Sequence, residues 1–222
     1  MKLLITEVTE MHGGNFCVAG WRARTRAMVR PLPNGANWTA VLLAQHGVVP
    51  GATLSVRSNG MQPSGAYPHL TEDTPIDSAS ITLVSGGPGQ WFGTGAPPAA
   101  AMLSEAFQGN VGNNSTWGVI FQGVHVPAGV STRSLWGVVI HRERLSFVED
   151  FQKLKAILDD GAAKYKLAVS SRVLKEAWRN GGLAGVNRAL PQTGNLHVRV
   201  GLARAFGNPP DKCYVMINGV HW

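Results

Sequence analysis

Turn-forming residues recur so closely along this 222-residue chain that long regular elements have little room between them. His12-Gly13-Gly14-Asn15, Pro33-Asn34-Gly35 and Pro50-Gly51 interrupt the first quarter, and Pro63, Pro68, Pro75, Pro88, Pro97 and Pro98 break up the middle. Short β-branched runs between such turns favour a small barrel or sandwich over an alternating α/β layer fold. A 44% hydrophobic share is enough to pack a core, which excludes disorder as the main state. No run of 18 apolar residues occurs, and Glu7 and Glu10 stand where a secretory leader would need apolar length. The expectation is a soluble, cytoplasmic protein without a membrane partner. The two cysteines, Cys17 and Cys213, form no metal-binding or disulfide pattern and read as buried thiols.

Read along the chain, Leu3–Met11, Phe16–Arg22, Arg26–Arg30, Ala52–Arg57 and Ile81–Val84 have strand character. A short helix is expected after Pro97-Pro98, from Ala99 to Phe107. Further strands follow at Leu135–Ile140, Arg144–Val148 and Tyr165–Val169. Ser170 or Ser171 then caps a helix in which Val173, Leu174, Ala177 and Trp178 share helical spacing, and Gly181-Gly182 stops it. Leu196–Leu202 alternates strictly, and Cys213–Ile217 closes the series. Three strands, a helix and two strands is the order of an oligonucleotide-binding (OB) barrel.

Several segments taken together resemble the bacterial dual-OB-containing domain family. They are Cys17-Val18-Ala19-Gly20, Val29-Arg30-Pro31, the stretch from Tyr67 to Asp73, and the closing stretch from Lys212 to Val220. The resemblance implies two barrels in one chain, nucleic-acid recognition in conflicts between cells and mobile elements, and no established catalytic residue. The Gly/Ala-rich run from Gly86 to Ala101 departs from the family pattern. The expected fold is therefore mainly β with a few short helices, forming two tandem OB-like five-stranded barrels. Residues 1–132 would hold the first, with a Gly/Pro-rich acidic extension; residues 133–222 would hold the second, with a helix near 171–180.

The net charge is +7, but it is unevenly spread. No Lys or Arg lies between Thr71 and Thr132, while 14 fall between Arg133 and Trp222. Such blocks steer polyanions and add salt-dependent phosphate affinity. In the first barrel, Trp21, Arg22, Arg24, Arg26 and Arg30 are candidates for nucleic-acid contact, because alternate residues of a strand share one face. In the second, the candidates are Lys164 and Lys166 on a strand, Arg172, Lys175 and Arg179 on one side of the helix, Arg199 beside His197 on a polar strand face, and Arg204 beyond it. The alternative reading of each group is a solvated face.

His69, Glu72 and Asp73 lie within five residues and offer a weak divalent-metal site, hence a metal-dependent nuclease as a minor alternative. Hydrolase, zinc-protease, deaminase and P-loop signatures are missing, and Gly86-Gly87-Pro88-Gly89 lacks the Lys-Ser/Thr of a phosphate cradle. The leading expectation is a nucleic-acid-binding protein for single-stranded or locally opened DNA or RNA, with no cofactor and no catalysis. The competing one is an adaptor for a protein partner in a larger nucleoprotein or defence complex.

Overall fold

A computed structural model describes residues 1–63, 67–205 and 210–222. Two curled sheets follow each other in the chain, and the fold is mainly β with short helices. The first contains β1 (Lys2–Glu10), β2 (Asn15–Arg22), β3 (Ala27–Pro33), β4 (Trp38–Thr39), the short helix α1 (Ala40–Gln45), β5 (Thr53–Ser55), β6 (Asp73–Ile76) and β7 (Thr82–Ser85). After α2 (Leu103–Ala106), the second contains β8 (Ser115–Trp117), β9 (Ile120–Gln122), β10 (His125–Pro127), β11 (Leu135–His141), β12 (Leu145–Asp150), β13 (Lys153–Asp159), β14 (Lys164–Val169), the helix α3 (Arg172–Arg188), β15 (Asn195–Leu202) and β16 (Lys212–His221). Among the described residues no helix is long and apolar enough to cross a membrane.

Both sheets curl by the same device. The first runs β6-β3-β2-β1-β5-β7, and its two end strands are consecutive in sequence, separated by residues 77–81, which include the turn Ser78–Ser80. The second runs β11-β15-β16-β14-β13-β12, and again its end strands are consecutive, separated by Arg142–Arg144. In each unit one strand breaks so that its halves pair at opposite edges, which bends the sheet round on itself. A meander of three antiparallel strands precedes a helix in both, and its third strand pairs in parallel with a strand that follows the helix: β3 with β6, β14 with β16. These are two curled, OB-like barrels, which fits the mainly β class expected, although the second meander is β12, β13 and β14 and includes a strand that was not expected.

Alternation fills the interiors. Leu3, Ile5, Val18, Val29, Trp38 and Leu54 pack the first core, while Leu154, Ala156, Leu158, Leu167, Val198 and Ile217 help fill the second. A register shift between Ile5 and Glu7 turns Val8 into the first core and leaves Glu7 facing the second barrel. Thr39 caps α1 by accepting from Leu42 N, and Ser171 does the same for α3 with Leu174 N. Gly182 in α3 has φ +57°, so the helix breaks there as the Gly-Gly pair predicts, but a further turn resumes and runs to Arg188.

The expected division at residue 132 differs from the packing. Leu103, Ala106, Phe107, Val124 and Val126 belong to the second core, so the segment carrying α2 and β10 is built into the second barrel. Its turns and prolines hid this membership, since no strand there exceeds three residues.

Candidate nucleic-acid interface

The barrels meet through the outer face of β1, β2 and β3, and this decides the fate of the first group of candidates. Ala19, Trp21 and Met28 pack with Leu135 of the second barrel. Trp21 is buried and donates its Nε1 hydrogen to Gly95 O at 3.0 Å, so no base can stack on it. Arg30 is buried too, donating to Asp73 at 2.5 Å and to Ser134 Oγ at 2.8 Å. Arg22 ends β2, while Arg24 and Arg26 lie in the turn that follows, with Arg26 at φ +50°. The expected row of three guanidiniums on one strand face does not exist; Arg24 and Arg26 are exposed turn residues.

Arg199 corrects the sequence reading most sharply. It is wholly buried and donates Nε–H to Glu7 Oε1 at 2.8 Å and Nη1–H to Pro98 O at 3.0 Å. His197 is also buried, and its Nε2 donates to Pro97 O at 3.2 Å. The alternating strand is covered on both faces because β15 carries the barrel junction. On α3, Lys175 and Arg179 both bind Glu10 of β1, and Arg172 binds Glu176. Arg204 donates to Asp73 at 2.6 Å. These cations already hold carboxylates within the chain, and the Glu10 group ties α3 to the first barrel.

The weak metal candidates are similarly committed. His69 Nε2 donates to Leu202 O at 3.0 Å, and Glu72 accepts from Ser134 N at 2.9 Å and Leu135 N at 3.0 Å. Asp73 accepts from both Arg30 and Arg204. The three fasten the loop before β6 to the second barrel, and no group of three possible metal ligands occurs among the described residues. Cys213 is buried as expected, whereas Cys17 is partly exposed.

A further basic surface is the outer face of the second barrel's meander. Leu154, Ala156, Leu158, Tyr165 and Leu167 point inward, so alternation turns Lys153, Lys155, Ile157 and Asp159 of β13, and Lys164, Lys166 and Ala168 of β14, outward. Four lysines share this surface with two aspartates: Lys166 pairs with Asp150 at 2.8 Å and Lys164 with Asp159 at 3.7 Å. Lys153 and Lys155 form no ion pair among the described residues. Burial pulls the Lys155 ammonium below its ordinary value; Asp150 opposes this, and repulsion from Lys153 and Lys166 adds to it. An anion placed there relieves that repulsion.

Aromatic side chains bound the face at both ends. Phe151 is 91% exposed at the tip of the two-residue β12–β13 turn, where both Phe151 (φ +48°) and Gln152 (φ +56°) are left-handed. Such turns ordinarily use Asn-Gly, because L side chains resist this backbone region. At the other end, Trp117 is 67% exposed on β8. Register places Trp117 opposite Ile120, Ile120 beside Lys164, and Lys164 opposite Asp159, so the indole continues the lysine face. From Lys153 to Asp159 is six residue steps along the strand, about 20 Å.

A scan against protein-family models and a search of the curated proteins each return no match. The site therefore stands on its own chemistry. Lys164 and Lys166 were legible as outward alternate residues; Lys153, Lys155, Phe151 and Trp117 were missed. The signal for β13 was the Lys153-Leu154-Lys155-Ala156 alternation, which the apolar run Ala156-Ile157-Leu158 then blurs, and the signal for Phe151 was a large apolar residue between Asp150 and Gln152 at a charged turn.

Proposed function

We propose that this protein binds single-stranded or locally opened nucleic acid across the β12–β14 face of its second barrel, without catalysing a reaction on it. The observation that carries the reading is a row of lysines ending in an exposed aromatic at each end, on the outer surface of an OB-like meander. OB folds hold single strands on this kind of surface, combining a basic groove that follows the backbone with aromatic platforms that accept any base. Lys153 and Lys155 meet phosphates first, Lys166 and Lys164 exchange their aspartates for them, and Phe151 and Trp117 stack on bases. The resemblance to the dual-OB-containing family supports the same reading and suggests a recognition role in bacterial or phage conflict.

The first barrel then serves as a scaffold, since its corresponding strand face is spent on the junction. Fluorescence anisotropy of the nuclease-treated protein with labelled single-stranded DNA, single-stranded RNA and duplex, each at two salt concentrations, tests the reading. Salt-sensitive binding that prefers a single strand supports it. If all three ligands fail to bind at low salt and a stoichiometric protein is recovered from nuclease-treated lysate, the adaptor reading takes its place.

A further inference from the structure

A second feature lies at the junction, away from the lysine face. A cleft of about 310 Å³ opens between the barrels, walled by Met11, Cys17 and His69 from the first and by Leu135, Arg204 and Met216 from the second. That volume is at the lower end of what small-ligand sites occupy, and its walls are mainly apolar with a few convergent polar groups. His69 has a fixed tautomer: Leu202 O can only accept, so the proton is on Nε2, and Nδ1 is a lone-pair acceptor with no hydrogen-bond partner among the described residues. Burial, reinforced by Arg30, holds this imidazole down at about 4, so it is neutral near pH 7.

The charge around the cleft favours an anion. Arg30 and Arg204 share the Asp73 carboxylate, and Glu72, which lies 4.0 Å from Arg30, is pushed up to about 7 by its burial, so it offsets the two guanidiniums only in part near pH 7. The nearest other acid, Glu10, is already held by Lys175 and Arg179. Arg204 is half exposed at the rim, where a ligand can reach its guanidinium.

From this arrangement we infer that the junction cleft is a binding site for a single nucleotide. The base lies between Met11 and Met216, one of its N–H groups donates to His69 Nδ1, and its phosphate meets Arg204. The ligand is either a free mononucleotide or one nucleotide of a bound strand. The inference does not depend on the lysine face.

Cys17 makes the test direct, because it is the partly exposed thiol in the cleft and Cys213 is buried. The full chain is alkylated with iodoacetamide in the presence of each nucleoside monophosphate, a short single-stranded oligonucleotide, or inorganic phosphate, and modification of Cys17 is followed by peptide mass spectrometry. A ligand at ten times its dissociation constant slows the reaction about tenfold. Protection by a monophosphate identifies the free-nucleotide form, and protection by the oligonucleotide alone identifies the strand-borne form. Either protection is lost in Arg204→Gln. Methyl resonances of Met11 and Met216 in the wild-type protein shift with the same ligands, which keeps the test valid if that variant does not fold.

Protection that persists in a folded Arg204→Gln variant, or no protection together with no methyl shift, overturns the inference. That result stands apart from the lysine face, whose own binding is read from its sensitivity to Lys153→Glu and Lys155→Glu.

Discussion

Arg199 of the second barrel donates to Glu7 of the first at 2.8 Å, and neither side chain has more than 1% of its surface exposed. Asn218 adds a bond from Nδ2 to Glu7 Oε2 at 3.0 Å, so the carboxylate is held from two strands of the second barrel. A buried pair of this kind adds little net stability over apolar residues of matching shape, but breaking it strands a charge. Arg199→Met should therefore cost about 3 to 5 kcal/mol in urea unfolding. The double variant Arg199→Met, Glu7→Gln should recover a large part of that loss. Equal losses for the single and double variants would contradict the pairing.

The same residue shows where sequence reasoning stops. Arg199 and His197 alternate with Leu196, Val198 and Val200 as the polar face of a half-exposed strand would, and a second barrel docked on that face leaves no trace in local pattern. Trp21 and Arg30 misled for the same reason. Strands β11, β12 and β14 were legible from local β character and the helix from Ser171 and Gly182, whose backbone roles are local, but β13 between them was missed, so four strands precede the helix where three were expected. The broken strands at Ser78–Ser80 and Arg142–Arg144 were not legible, since each half pairs with a partner distant in sequence. Lys164 and Lys166 survived as candidates because strand alternation alone decides that they face outward.

Charge reversal on β13 should separate the lysine face from the other basic groups. Lys153→Glu with Lys155→Glu should lower single-strand affinity at least tenfold and flatten the dependence of log affinity on log salt by about 1.4, near 0.7 for each lost phosphate contact. The Arg22→Ala, Arg24→Ala, Arg26→Ala triple variant should change affinity much less, because those residues share no strand face. Anisotropy titrations at three salt concentrations distinguish the two; a larger loss from the arginine triple would move the interface to the first barrel's turn.

Phe151 should trade stability against binding. Replacing it with Ala removes a stacking platform and should weaken single-strand binding by about 1 to 3 kcal/mol. Its native contribution to the fold is small, since the ring is almost fully exposed. Replacing Phe151-Gln152 with Asn-Gly relieves two left-handed L residues and should stabilise the protein by roughly 1 kcal/mol while still losing affinity. Thermal unfolding and anisotropy on the same samples check both halves. A variant that binds as well as wild type would remove Phe151 from the site.

Acid should loosen the barrel junction, and the sign follows from its histidines. Burial lowers His69 and His197 to about 4 and His221 to about 3, all below the ordinary 6.5. Arg199 adds to the lowering of His197 and His221, and Arg30 and Arg204 add to that of His69. His221 stacks on Trp91 with ring centroids 3.5 Å apart and donates Nε2–H to Thr6 O at 2.8 Å, so its neutral form belongs to the closed junction. Between pH 6.5 and about 4 the unfolded chain takes up three histidine protons that the folded protein refuses. Glu72 acts the other way: burial raises it to about 7, so the folded state keeps a proton that the unfolded chain releases as pH rises above 4.5. Three protons against one leave net uptake on unfolding, and stability should fall as pH drops from 6.5 toward 4.5, with a slope of up to about 2.7 kcal/mol per pH unit. Urea unfolding across this range measures the slope directly. A flat or inverted dependence would mean that these imidazoles are not held neutral in the folded state, and the junction would have to be packed differently around them.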